Sequence, residues 1–293
     1  MIFADGEFSP NPAPLSPSIR TDGSDTSRPA STGGATFVSV PFSNLPNIYT
    51  KKSMLSGGAL RYLKNSQNPD GSWGRDEGQC KATALAFIAF TRHMKTGGPG
   101  SKYEETIEKA RAWLRKATPL TDEDRLALVI AVAGLYTNKR GSRTPDKGAG
   151  AGDGRKLNSL LEGIQNPKDS AWFDFFAISA LPEDVKRPVW SVNNAALQKK
   201  YRDKSDTSAL STEDDYLNLY LVTVAKWRNE QTRVSHTKAL TQALAERQDE
   251  RGAFSTSNGN DTLAATALSA MCFSLDYIIA DRFFSSSTET PEK

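Results

Sequence analysis

Two cysteines are all the chain has, Cys80 and Cys272, and they lie far apart. Two cysteines make neither a disulfide framework nor a cysteine-rich zinc module, so both read as reduced thiols packed as small apolar residues. Nor is there a surplus of one charge. The 37 Lys and Arg stand against 34 Asp and Glu, for a net +3, which gives no electrostatic footprint for nucleic acid or an anionic membrane. No run approaches the roughly 18 apolar residues that span a bilayer, so no integral membrane segment is expected. The opening MIFADGEFSP has no basic n-region and no apolar h-region, so it is not a secretory signal. If that N-terminus is native, the protein is expected to be made and kept in the cytoplasm. Hydrophobic residues make up only 38%, which is low for a globular chain and points to a part left unpacked.

That part is legible in the composition. Residues 1–43 hold Pro10, Pro12, Pro14, Pro17, Pro29 and Pro41 among Ser, Thr, Gly and Asp, with few aliphatic side chains. Such a segment cannot bury enough apolar surface to offset its ordering entropy, so a disordered tail is expected. The short run Phe37 to Phe42 (FVSVPF) is the exception and is read as an extended strip. The polar end, 285–293, is expected to fray. Lys139 to Lys156 is glycine-rich and basic and reads as an irregular linker. It does not fit a phosphate loop, because Arg155 precedes Lys156 and no Ser or Thr follows.

Everything else has helical character, strand-like alternation being nearly absent, and the helical segments are of two alternating kinds. One is amphipathic. Around 102–117, Tyr103, Ile107, Ala110, Leu114 and Ala117 recur at three- and four-residue steps, leaving Lys102, Glu104, Glu105, Glu108, Lys109 and Arg115 for solvent. Leu157, Leu160, Leu161 and Ile164 repeat the pattern; Leu240 and Leu244 do so more weakly. The other kind is apolar nearly all round, as in Ala82 to Phe90 (ATALAFIAF) and Leu126 to Tyr136 (LALVIAVAGLY). A helix greasy on every side must be surrounded by protein. In order, the chain reads amphipathic 53–66, apolar 79–92, amphipathic 102–117, apolar 122–136, amphipathic 155–166 and apolar 170–181. A poorer helix at 184–199 comes next, then apolar 213–227, amphipathic 233–247 and apolar 261–280. Five outer–inner pairs predict an all-α domain over 44–284 built as two concentric helical layers. An α-solenoid would keep an exposed face on both helices of each pair, and a plain bundle would have fewer helices apolar all round.

Two distant stretches match. Leu63, Gln67, Gly71 and Trp73 (LKNSQNPDGSW) stand at the same spacing as Leu244, Gln248, Gly252 and Phe254 (LAERQDERGAF). Each is followed by Ala-Thr-Ala-Leu, at Ala82 to Leu85 and Ala265 to Leu268. Self-similarity of this kind marks a repeat architecture. Physically it reads as a helix stop. The glutamines are placed to donate to carbonyls that lack helical partners, Pro69 and Gly71 make a turn, and Trp73 and Phe254 fold back as apolar caps.

Gly58, Tyr62, Leu63, Gln67, Gly71 and Trp73 resemble the QW repeat of squalene–hopene cyclases: glycine, then aromatic-Leu-x3-Gln-x3-Gly-x-Trp. The first copy departs only at the leading basic position, where Gly57 or Ser56 stands; the second has Ala243 for the aromatic and Phe254 for the tryptophan. Over roughly 44–284 the domain is similar to the bacterial prenyltransferase/squalene-oxidase-repeat proteins. The resemblance implies an α/α toroid of the terpenoid cyclase and protein prenyltransferase superfamily. It also implies that the QW residues clamp helices and are structural.

The catalytic signatures of those relatives are incomplete here. Cyclases of this kind protonate an alkene with Asp-x-Asp-Asp, but Thr212 occupies the first place of Thr212-Glu213-Asp214-Asp215. Thr121-Asp122-Glu123-Asp124 also fails. The magnesium motif of metal-dependent synthases ends here in Asn218, after Asp214-Asp215. The zinc set of the prenyltransferases needs Asp-x-Cys, and Ala270 stands two residues before Cys272. Cys80 lacks the Gly-Glu-Gln of thioester domains. No metal and no cofactor is therefore expected. Glu213, Asp214 and Asp215 remain as candidate catalytic acids, against the plainer reading of first-turn acids behind a Ser211 or Thr212 cap. Phe87, Trp172, Phe176, Tyr216 and Tyr220 are candidate ligand-binding aromatics, whose π-faces could stabilise a carbocation, against the reading that they pack the core. His93 and His236 read as surface residues. The expected function is a non-catalytic binding or scaffold module, engaging a partner peptide or an apolar small molecule at its central cavity or rim. A terpenoid-cyclase-like or prenyl-binding enzyme is the alternative, and a polysaccharide-active toroid with a charged cleft is the third.

Overall fold

The computed structural model describes residues 46–94, 102–140, 149–164, 170–178, 194–204, 210–227, 230–256 and 259–275. The chain divides into two units, Met1–Pro41 and Phe42–Lys293, and every described residue belongs to the second. The expected disordered tail at 1–43, the FVSVPF strip and the fraying end at 285–293 lie outside the described residues. Ten α-helices are described: α1 (Pro46–Asn65), α2 (Gln79–Met94), α3 (Glu104–Leu114), α4 (Asp122–Arg140), α5 (Ala149–Glu162), α6 (Ala171–Ile178), α7 (Asn194–Arg202), α8 (Glu213–Trp227), α9 (Glu230–Ala245) and α10 (Gly259–Phe273). Among the described residues there is no strand; a single isolated bridge joins Gln248 and Phe254. The described part of the protein is all-α.

The two kinds of helix behave as their patterns require. Every residue is buried over 82–90 in α2, 126–133 in α4 and 263–273 in α10. In α8, Tyr216, Leu217 and the run 219–225 are buried. By contrast α3 buries only Thr106, Ile107, Ala110 and Leu114, one stripe of an amphipathic helix. The apolar helices pack on one another in chain order: α2 on α4, α4 on α6, α6 on α8, α8 on α10, and α10 back on α2. The amphipathic ones lie against them, with α1 on α10, α3 on α2, α5 on α4, α7 on α8, and α9 on α8 and α1.

One sequence expectation needs correction. Residues 149–156, read as part of a linker, form the first half of α5. Their glycines disfavour a helix by roughly 1 kcal/mol each, but α5 packs on α4 with Leu157, Leu160 and Leu161 buried, and tertiary burial outweighs local propensity. Of the helix expected at 184–199, the part over 194–199 is described, within α7 (Asn194–Arg202); positions 184–193 lie outside the described residues.

The two matching turns adopt one geometry in detail. Trp73 donates its backbone N–H to Thr83 Oγ1 (2.8 Å), and Phe254 donates to Thr266 Oγ1 (3.0 Å). Each threonine hydroxyl in turn donates to the carbonyl four residues back, Gln79 or Thr262, at 2.7 Å. Trp73 also donates its indole N–H to Leu63 O (2.6 Å), in the last turn of α1, as the cap reading requires. The glutamines act differently from the expectation. Gln67 Nε2 donates to Gly71 O (3.0 Å) and to Thr106 O of α3 (2.9 Å). Gln248 Nε2 donates to Gly252 O (3.0 Å) and to Leu55 O of α1 (2.9 Å). Each glutamine thus ties its turn to a neighbouring helix instead of closing its own.

The glycines follow the same rule. Gly71 (φ +93°) and Gly252 (φ +96°) hold backbones that L side chains rarely adopt. A Cβ on Gly71 would lie 2.4 Å from Lys109 O, and one on Gly252 would lie 2.3 Å from Gly58 O. Lys109 stands three residues after Thr106, and Gly58 three after Leu55. One clamp is therefore used twice: the turn after α1 grips α3, and the turn after α9 grips α1, joining the end of the fold to its beginning.

Candidate functional site

The starts of α2, α4, α8 and α10 share one pocket of about 460 Å³. Six carboxylates line it, Asp76, Glu77, Glu123, Asp124, Glu213 and Asp261, against one ammonium, Lys81. First-turn acids complement the positive end of a helix dipole, and most of these residues sit at such positions: Glu123 and Asp124 on α4, Glu213 on α8, Asp261 on α10. Asn260 fixes one wall by pairing with Arg75 through both groups of its amide, Oδ1 accepting from the backbone N–H (3.1 Å) and Nδ2 donating to the carbonyl (2.8 Å).

Two reciprocal caps set the helix starts. Thr121 Oγ1 accepts from the Asp124 N–H (3.1 Å), while the Asp124 carboxylate accepts from the N–H groups of Leu120 (3.2 Å) and Thr121 (3.3 Å). Its other oxygen accepts from the Lys81 N–H (3.0 Å), so α4 also caps α2. Thr212 and Asp215 repeat the device on α8, with Asp215 accepting from the N–H groups of Ser211 (3.0 Å) and Thr212 (2.8 Å). Burial alone would raise the Asp215 carboxyl, but these N–H groups and the two hydroxyls outweigh it and hold it below the usual range.

The three candidate acids therefore part company. Asp215 is committed to the cap. Asp214 is exposed, and neither of the two lines the pocket. Glu213 does line it and is 6% exposed. Its Oε2 pairs with Lys81 Nζ at 2.9 Å, and its Oε1 is buried with no hydrogen-bond partner. Lys81 Nζ also meets Glu123 Oε2 (3.0 Å) and stands 5.2 Å from the centre of the Trp172 ring. Burial pushes the Glu213 carboxyl up to about 7; Lys81 opposes the rise, and Asp261 and Glu123 add to it. Burial pulls the Lys81 ammonium down, but Glu213 and Glu123 outweigh it and hold it above its ordinary value. The two upward shifts are compatible because Lys81 has two carboxylates. When Glu213 takes a proton, Glu123 still holds the cation.

The five candidate aromatics are buried, and none is among the residues lining this pocket. Tyr216 packs on Phe254 (6.2 Å between ring centres), Trp172 on Phe175 (6.0 Å), Phe175 on Tyr220 (5.5 Å), and Phe176 on Phe173 (6.2 Å). Arg92 donates to the Tyr220 hydroxyl. Both cysteines are buried free thiols, pushed by burial up to about 12. His93 and His236, expected at the surface, are half-buried. His236 Nε2 lies 3.0 Å from Thr223 Oγ1, and burial holds its imidazole down at about 4.

Lys81 is the residue that sequence reasoning missed. The signal was there: a lone cation in the first turn of a helix otherwise apolar all round (QCKATALAF) has to find carboxylates from other elements. Among the described residues, no group of three or more His, Cys, Asp or Glu is placed to hold a metal ion, and no helix is long and apolar enough to cross a membrane. No protein-family model matches the chain, and no curated protein matches it.

Proposed function

We propose that the chain is a non-catalytic α/α-toroid binding module of the prenyltransferase/squalene-oxidase-repeat type, which engages a partner peptide at the pocket shared by the starts of its inner helices. The circuit of contacts from α2 through α4, α6, α8 and α10 back to α2 supports the toroid, as do the paired clamps at Gly71 and Gly252. The pocket carries the functional reading. It is lined by six carboxylates against one ammonium, and the aromatic side chains that would suit an apolar ligand are packed against one another instead of lining it.

The test is a peptide-display selection run in parallel on the wild type and on Asp261→Trp, which fills the pocket from its rim. Peptides selected on the wild type are expected to bind the variant at least tenfold more weakly. Equal binding to both proteins would contradict the proposal.

A second reading is catalytic, with Glu213 as proton donor. Its buried Oε1 and a carboxyl near 7 favour it, and the acidic lining suits a polysaccharide better than an isoprenoid. Turnover of either substrate class by the wild type, lost in Glu213→Gln, would replace the binding-module reading.

A further inference from the structure

We propose that the pocket recognises a primary alkylammonium group, the chemistry of a lysine side chain or a small polyamine, through Glu213 Oε1. The inference rests on the reading of this pocket as the binding site and names what it binds. Three observations carry it.

The first is charge. Asp124 is spent on three backbone N–H groups, and Lys81 neutralises part of the Glu213–Glu123 pair. Asp76, Glu77 and Asp261 remain as uncompensated carboxylates around the opening. A concave site of one sign with low-dielectric walls concentrates the opposite charge.

The second is the unmet acceptor. Glu213 is buried and lines the pocket, yet Oε1 has no donor. A buried acceptor left without a partner is costly, and a cation arriving with its own N–H donors removes that cost.

The third observation selects the class. A divalent metal needs several oxygens converging at bonding distance, and among the described residues no such group of three exists. A guanidinium prefers both oxygens of one carboxylate in a planar fork, but Glu213 Oε2 is already taken by Lys81. One free oxygen suits a compact ammonium with rotatable donors. Lys81 shows that the site accepts such a group: its ammonium already sits between two carboxylates and faces the Trp172 ring.

The groups facing Glu213 are Lys81 on α2, Glu123 on α4 and Asp261 on α10, with Asp76 and Glu77 on the approach to α2. Because the Glu213 carboxyl sits at about 7, an ammonium should bind more tightly at pH 8, where it is ionised, than at pH 6.

The experiment is isothermal titration of the full chain at pH 8 with cadaverine, with Nα-acetyl-lysine N-methylamide and with Nα-acetyl-arginine N-methylamide, whose only cation is a guanidinium. It is run on the wild type, Glu213→Gln, Asp261→Asn and the exposed control Asp214→Asn. The amines are expected to bind at least tenfold more weakly to Glu213→Gln and several-fold more weakly to Asp261→Asn, with Asp214→Asn within twofold of wild type. The arginine derivative should be the weakest ligand of the wild type. If Glu213→Gln fails to fold, Asp261→Asn carries the test. Binding of cadaverine alone assigns the site to a free polyamine; binding of both amines assigns it to a lysine side chain. No amine binding, unchanged binding in the pocket variants, or tighter binding of the arginine derivative than of the lysine derivative overturns the proposal. If selected peptides lose affinity for Asp261→Trp while the amines fail, the ammonium class falls and the binding module stands. If both fail, both fall.

Discussion

Replacing Trp73 with alanine is expected to lower stability by roughly 3–5 kcal/mol, the range for deleting a large buried aromatic. Trp73 has no exposed surface and packs against Phe90 at 5.8 Å between ring centres. Its indole N–H satisfies Leu63 O at the end of α1, a carbonyl that also accepts from the Ser66 N–H at 3.1 Å. Loss of the ring therefore leaves a cavity but only part of a polar deficit. The matching turn carries Phe254, also fully buried and with no side-chain N–H to give. Trp73→Phe should accordingly cost less than half as much as Trp73→Ala, on the order of 1–2 kcal/mol for the lost hydrogen bond and volume. Urea denaturation of the three proteins measures this. Equal losses in the two variants would mean that the N–H, not the buried ring, fastens the turn.

Gly252→Ala should destabilise by roughly 2–5 kcal/mol, combining a left-handed backbone of about 1–2 kcal/mol with overpacking of about 1–3 kcal/mol. The new methyl group would meet Gly58 O at 2.3 Å, and backbone cannot step aside as a flexible side chain can. The damage falls at one joint, because the same turn sends Gln248 to Leu55 O. Gly57 supplies the control. It lies in α1 beside Gly58, with nothing within 4 Å of an added Cβ, so Gly57→Ala should be neutral or stabilising by up to about 1 kcal/mol. Thermal unfolding separates the outcomes. Equal tolerance at both positions would mean that the turn after α9 does not grip α1.

The contrast between these residues also explains what the sequence could and could not disclose. Helix identity and the two kinds of helix follow from periodicity, a property of each segment alone, and Ala82 to Phe90 or Leu263 to Phe273 could hardly be read otherwise. The matched spacing of Gln67 and Gln248 was visible, but their targets, Thr106 O and Leu55 O, belong to other helices and leave no local mark. The caps were half-legible. Thr121 three residues before Asp124 announces a reciprocal cap, whereas the reach of Asp124 across to the Lys81 N–H depends on how α2 lies against α4. The pocket was least legible, because its charges come from four helix starts spread over Asp76 to Asp261. Each looks like an ordinary first-turn acid in isolation. The aromatics failed to discriminate for a different reason. Dense Trp and Phe residues on a short helix are equally what a core and a ligand chamber require, and only packing partners separate the two.

The proposed site turns on one buried carboxyl, that of Glu213, and its titration is the most direct measurement. In protein labelled with ¹³C at the glutamate side-chain carboxyl, one resonance should titrate with a midpoint near 7 and vanish in Glu213→Gln. Saturating cadaverine should lower that midpoint, since a bound cation favours the ionised form. A Glu213 resonance titrating in the ordinary carboxylate range, or one indifferent to the amine, would contradict the site.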